Sequence, residues 1–399
     1  MRTYQKQNQL FSNELIFVLY LWRLILLRPL TTRFRAQGMI LVLAFTALLL
    51  LIYACNNSLR YIEMNPTFAI ITGFMFLFII DALMRPTAII SEYAYELVLY
   101  GYIPVLFFLG VKDIKKLFSL FGWMSLIMFL LYAYDPFVNY AHLENYMTFG
   151  FQMAFPAFIG MDISRSYLGK KWFAIPEIAC LIELFVFANR SCILSVCLYL
   201  LLKEFLLQKR SARQTAKQFL LFAVILFTAV NIESILTALN KKLLSLGYKS
   251  YALSQYVYYF SNNKFATMGE RTGGRANIWS NAFNMFMDSP FIGKGSGSFI
   301  EKYGYYTHNI LLDLLVQYGL VISIVIVICI GIATWKLLTA KDFNQRLLGI
   351  FLLCLWFPKL FFSIHLFKDL GIWCFLALGL RRTTVIQSVP AALAEKNYA

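Results

Sequence analysis

The run NILLDLLVQYGLVISIVIVICIGIATW, Asn309 to Trp335, decides the fold. It carries a single charge, Asp313, and exceeds the ~20 apolar residues that cross the hydrocarbon core of a bilayer. Runs of similar character recur from end to end of a chain that is 60% hydrophobic and only 14% charged. A soluble core has no room for so much apolar surface, so the chain is expected to be an all-α, polytopic transmembrane bundle. Candidate helices start at Leu15, Met39, Thr67, Ala94, Phe118, Phe149, Trp172, Cys192 and Phe219, then at Asn309, Leu347 and Asp369. That makes about twelve spans. The first, Leu15 to Leu27, is the weakest, being short and broken by Arg23; it either spans or lies flat at the interface. Arg28-Pro29 stands where a signal peptide needs small residues, so the segment is expected to stay in the mature protein.

The net charge of +16 raises the question of nucleic acid, but the cations sit in short loops beside apolar runs and read as topology signals. Lys112/Lys115/Lys116, Arg165/Lys170/Lys171, the polybasic stretch Lys203 to Lys217, Lys336/Lys341/Arg346 and Arg381-Arg382 alternate with loops poorer in cations, which places them in the cytoplasm. Parity then puts Asp135 to Thr148, Lys241 to Thr307 and the turn with His365 outside, together with Arg33 and Arg35, which locally break the rule. All three histidines fall on that outer side. The seven cysteines lie in apolar segments without a CxxC pair, so neither disulfides nor a zinc site are expected. No repeat of solenoid period or matched pair of interrupted helices appears. Pro104, Pro156, Pro176 and Pro358 lie within or near spans, where they are expected to kink helices.

Against this background, residues 241–308 form a polar island that must meet water at a membrane face or in a cavity. Lys241 to Ser261 mixes leucines and tyrosines and suits an amphipathic surface helix; tyrosine fits both an interfacial belt and stacking on sugar rings. After Gly273-Gly274, residues Arg275, Trp279 and Phe283 fall four apart, on one face of a helix reaching about Met287. A cation in the first turn opposes the helix dipole unless an anion shares the site, and Arg271 lies just upstream. The other reading pairs both arginines with lipid headgroups or with Glu270. Gly293, Gly295 and Gly297 permit a tight turn or close approach to a ligand, but Lys294 completes no phosphate-binding loop. His308 precedes the Asn309 helix, with Thr307 or Asn309 available as N-cap, and with an ordinary pKa near 6.5 it can accept a proton. A lone histidine there equally serves as a cap or surface residue. His142 and His365 have no motif around them. Arg190, between two long apolar runs, needs a partner or water; Arg85 is a weaker case, and Asp81, Glu177, Glu183 and Asp313 are potential helix-pairing partners for such cations.

The chain resembles the O-antigen polymerase and O-antigen ligase superfamily of membrane glycosyltransferases. The resemblance is carried by Arg275-x-x-x-Trp279, by Pro290 and Gly293-x-Gly295-x-Gly297, and by His308-Asn309 followed by Gln317-Tyr318-Gly319-Leu320. Arg190-Ser191 resembles, in inverted order, a Ser-Arg pair of many members. The resemblance implies transfer of a glycan from a polyprenyl-diphosphate carrier to an acceptor sugar hydroxyl at the outer face of the bacterial cytoplasmic membrane. It implies no metal and no cofactor, and the sequence has no Asp-x-Asp motif. Implied roles are His308 as base or hydroxyl positioner, and Arg190, Arg271 and Arg275 as diphosphate clamps. Expected partners are the lipid-linked glycan, the acceptor glycan and membrane lipid, with a flippase or chain-length regulator alongside, and no nucleic acid. On this reading residues 1–240 hold about nine spans, 241–308 the extracytoplasmic catalytic loop, 309–382 about three spans and 383–399 a cytoplasmic tail. Polymerase is favoured over ligase because the loop is compact; a transporter of lipid-linked sugars is the alternative from another class.

Overall fold

The structure, a computed structural model, describes residues 11–33, 38–56, 58, 65–84, 88–138, 149–188, 190–208, 211–261 and 275–381. Among the described residues regular structure is entirely helical. In chain order come α1 (Asn13–Leu26), α2 (Arg28–Arg33), α3 (Gly38–Cys55), α4 (Pro66–Met84), α5 (Ala88–Glu96), α6 (Ile103–Leu109), α7 (Ile114–Tyr132) and the short α8 (Asp135–Val138). There follow α9 (Phe155–Ser166), α10 (Ala174–Phe187), α11 (Arg190–Leu206), α12 (Ala212–Val230), α13 (Ile232–Ser245), α14 (Tyr251–Ser261), α15 (Arg275–Met287) and α16 (Ser298–Tyr303). The chain closes with α17 (Ile310–Leu338), α18 (Phe343–Phe362) and α19 (Leu370–Leu380). Residues 139–148, with His142, residues 85–87, with Arg85, and the stretch holding Arg271 lie outside the described residues, as does 382–399.

Five helices, α3, α4, α7, α17 and α18, are long and apolar enough to cross a membrane, and the bent pair α12–α13, turning by 71°, makes a sixth if taken as one span. The expected count of about twelve is not confirmed: α1, α10, α11 and α19 run to only 14, 14, 17 and 11 residues, and two further runs are interrupted. Two apolar runs are divided by π turns, Leu97–Tyr102 before Pro104 and Phe149–Ala154 before Pro156. A proline cannot donate to the preceding turn, and the wider π turn accommodates that break without ending the run. Outward-facing residues of α3 and α4 are apolar, Leu51 at 63% and Leu83 at 81% exposure, the reverse of a soluble protein. The chain is an integral membrane protein.

The first helix does not lie on a surface. Ser12 caps it, and Ile16, Val18, Tyr20 and Trp22 are all buried. Asn13 Nδ2 donates to the Gly110 carbonyl at 2.9 Å at one end, and at the other the Ile25 carbonyl accepts from the Tyr132 hydroxyl at 2.8 Å. α1 therefore runs alongside α7 from one end of the bundle toward the other.

Those two ends differ in chemistry. At the first, Glu14 accepts from the backbone N–H of Lys112 and Asp113; Lys203 and Arg165 meet Asp162 at 2.6 and 2.9 Å, and Arg165 also pairs with Glu177. Arg346 donates to the Leu206 carbonyl and Lys170 to Ser119 Oγ, so the cation-rich loops read from the sequence gather at one end. Glu177 is thus a helix-pairing carboxylate, as expected of it. Asp81 and Asp313 instead bind the polar island, through the Ser296 N–H and the Thr307 hydroxyl.

Candidate functional site

The island is held against the opposite end. α15 packs on the first turns of α17, with Ala282, Met285, Phe299 and Val316 buried between them and Ile278, Phe286 and Leu312 around the edge. α17 is broken at Gly319, whose φ of 69° and ψ of −175° are not helical and which leaves backbone groups without intrahelical partners. The turn after Pro290 supplies them: the N–H groups of Lys294 and Gly295 bond the Val316 and Gln317 carbonyls at 2.8 and 2.9 Å, and Leu320 N–H bonds the Pro290 carbonyl at 2.8 Å. Gly293 and Gly319 face each other so closely that a Cβ on Gly293 would sit 2.4 Å from the Gln317 carbonyl oxygen. Two motifs read separately in the sequence are therefore one unit. The glycines bring backbone to backbone, where the sequence had also allowed approach to a ligand.

At the head of α17, Asn309 is the N-cap, its Oδ1 accepting from the N–H groups of Leu311 and Leu312. His308 precedes it with φ of 53°, the left-handed region that costs a non-glycine residue ~1–2 kcal/mol. The imidazole hydrogen-bonds the Ser363 backbone, and Nδ1 is buried with no partner among the described residues. Burial first, then the adjacent Arg275 cation, push its pKa down to about 4, against the pull of Ser363. At neutral pH the ring is uncharged.

Arg275 reaches the same turn, donating from Nη2 to the Phe362 carbonyl at 2.7 Å. Phe362 ends α18, so the guanidinium caps a helix C-terminus, where the dipole favours a cation, and this offsets the cost of placing it in the first turn of α15. The start of α11 arrives here too: Ser191 Oγ lies 3.2 Å from Ser363 Oγ. Arg190, the preceding residue, opens α11. The Phe362–Ser363 turn thus gathers His308, Arg275 and the backbone that carries Arg190.

His365 belongs to this assembly, although nothing near it in the sequence marks it. It is 6% exposed; Tyr93 stacks on it at 4.7 Å, and its Nε2 lies 3.1 Å from Glu96 Oε2. Lys368 meets the other oxygen of Glu96 at 3.2 Å. Tyr306 bridges the two histidines, its ring centroid 4.3 Å from His308 and 5.8 Å from His365. Of the island's other aromatics, Tyr256 is buried and donates to the Ala188 carbonyl at 2.8 Å, while Tyr258 and Phe283 are exposed.

Residues 178–327 match the O-antigen ligase family. The match takes in Arg190, Arg271, Arg275, the glycine turn, His308 and the break in α17, and it bears out the resemblance to the O-antigen polymerase and ligase superfamily. It supports an enzyme of glycosyltransferase type, acting on lipid-linked and acceptor glycans in general. His365, Glu96 and the helices α1 to α9 lie outside it. Neither a curated protein nor a solved structure matches the chain.

Proposed function

We propose that the protein is a polymerase of polysaccharide repeat units, transferring glycan from a polyprenyl diphosphate to a sugar hydroxyl at the outer face of the bacterial cytoplasmic membrane. The carrying observation is the convergence of His308 and Arg275 on the Phe362–Ser363 turn. The acceptor hydroxyl oxygen bonds to the anomeric carbon as the bond from that carbon to the diphosphate oxygen breaks. The lipid diphosphate leaves with the electron pair, and the hydroxyl proton passes to His308 Nδ1. Arg275, with Arg190 and Arg271, neutralises the departing diphosphate. A neutral imidazole suits a base, although a pKa of about 4 makes it a weak one. A bound diphosphate adds negative charge beside Arg275 and raises the basicity of the ring as the reactants assemble.

The second reading is a ligase that moves finished glycan to another acceptor, favoured by the description of the matched family. Cells with His308→Ala decide both points. Failure of chain growth with the protein still in the membrane supports the assignment, and near-normal activity eliminates it. Accumulation of single repeat units indicates a polymerase, whereas long carrier-linked chains indicate a ligase.

A further inference from the structure

A cavity of about 220 Å³ opens beside the Ser363–Asp369 turn, walled by α1, α7, α18 and the Leu97–Tyr102 turn. Neither His308 nor Arg275 lines it. Its apolar walls include Trp22 and Phe121, and its polar residues are Arg23, Tyr100, Lys359, Ser363, Lys368 and Asp369. Lys359 is paired with Asp369 at 2.9 Å, and Lys368, half exposed, with Glu96. Arg23 is different. It is 1% exposed; Nη1 donates to the Tyr20 carbonyl at 2.9 Å, and the guanidinium lies 3.8 Å over the Tyr20 ring. Its Nε and Nη2 have no hydrogen-bond partner among the described residues, and neither has the neighbouring Trp22 Nε1.

Nε and Nη2 form one edge of the guanidinium, the fork that takes two oxygens of a carboxylate or phosphate in parallel. The Tyr20 contacts fix the plane and leave that fork empty. A buried cation with two unmade bonds weakens the fold, so its presence is best explained by a ligand that completes it. The aromatic walls suit the face of a sugar ring. The volume, below the ~300–1,000 Å³ of pockets for larger ligands, suits one sugar unit rather than an oligosaccharide.

We propose that Arg23 anchors a binding site for an oxyanion carried on a sugar, a carboxylate or a phosphate, in a cavity that adjoins the His308–Arg275 site across Ser363. The test uses the full chain purified in a polyoxyethylene detergent, free of phosphate and sugar, titrated calorimetrically with glucuronate, glucose 6-phosphate and glucose. Saturable binding of at least one anion, with none of glucose, is expected, and the preferred anion identifies the oxyanion. Arg23→Lys, which keeps the charge but lacks the fork, should weaken binding about tenfold, and Arg23→Met should abolish it. Unliganded Arg23→Met should also melt at a higher temperature than the parent, because an unpaired buried charge has been replaced by an apolar chain. His308→Ala and Arg275→Gln should bind the anion as the parent does, so failure of the transfer mechanism is distinguishable from failure here. The proposal is overturned if neither anion saturates, if glucose binds equally well, or if Arg23→Lys and Arg23→Met bind as the parent does.

Discussion

Replacing Gly319 with alanine tests whether the glycine turn and the break in α17 are one unit. The perturbation has two parts. The backbone at φ 69°, ψ −175° belongs to a region nearly reserved for glycine, so a side chain there costs ~1–3 kcal/mol. The new Cβ would also lie 2.3 Å from the Phe291 carbonyl oxygen and 2.6 Å from the Ile292 nitrogen, backbone atoms that cannot rotate away. The Pro290–Gly297 turn must then retreat from α17, which endangers the three backbone hydrogen bonds between them, each worth ~1 kcal/mol net. The total is about 4 kcal/mol, a large part of the ~5–15 kcal/mol that holds a typical domain together. In a thermal-unfolding assay on purified protein the midpoint should fall on the order of 10 °C. Gly331→Ala is the internal control, since it lies in the same helix with nothing within 4 Å of an added Cβ. It should be neutral or stabilise by ~0.5–1 kcal/mol. Equal midpoints for the two variants would refute the argument.

Other outcomes follow from the same geometry. Arg275→Lys should lose much of the transfer rate, because a point charge can still cap α18 but cannot grip a diphosphate with two parallel bonds; full activity in a lipid-linked-glycan assay would show that charge alone suffices. His308, held near 4 by burial and by Arg275, should place the acid limb of the kcat/KM pH profile near that value, and Arg275→Gln should move the limb upward. The same depressed pKa contributes stability that is present above the unfolded value near 6.5 and lost as pH falls through the folded value of about 4; His308→Gln should flatten that fall in melting temperature between pH 6.5 and 4. Glu96→Gln should lower the melting temperature, since it leaves the buried His365 and the half-exposed Lys368 without their carboxylate, at a cost of ~1–3 kcal/mol. Asn309→Ala removes two N-cap bonds and should cost about 1 kcal/mol in the same assay.

Local chemistry was legible in the sequence wherever neighbours along the chain create it. The apolar run from Asn309 declares a membrane helix, Asn309 its cap, and the periodic Arg275, Trp279 and Phe283 a helix starting at Arg275; all are found. The clustering of Lys112, Arg165, Lys203 and Arg346 at one end also follows from alternation of loops. Hydropathy fails where the backbone departs from a regular helix. The π turns at Leu97–Tyr102 and Phe149–Ala154 interrupt two helical runs without changing composition, so hydropathy does not show them. It fails again for His365 and Glu96, which meet only because residues far apart in the chain fold onto the same turn. Pro290 to Gly297 shows a subtler failure: glycine spacing announces close approach but not to what, and the partner is the break at Gly319. Arg23 looked like a flaw in a weak span. Its carbonyl bond, its ring contact and its empty fork exist only in three dimensions.

The arrangement around Phe362 and Ser363 gives Arg275 two jobs that a diphosphate would couple. Without an anion its charge is spent on the C-terminus of α18 and on suppressing the basicity of His308. Neither effect requires the ring to move, because Ser363 and the left-handed backbone at position 308 already fix it. On the proposed function, a pyrophosphate docked on the guanidinium would relieve the part of that suppression due to Arg275 when an acceptor hydroxyl needs a base. The base would then be stronger with the leaving group in place than in an empty site. Tyr306 extends the same logic sideways: in ring contact with both histidines, it ties the transfer residue to the Glu96–His365–Lys368 cluster and so to α5, a helix the matched family segment does not include. His308 and Arg275 sit on the segment that matches the family, but the turn and cluster that hold them come from helices outside it, α5 and α18.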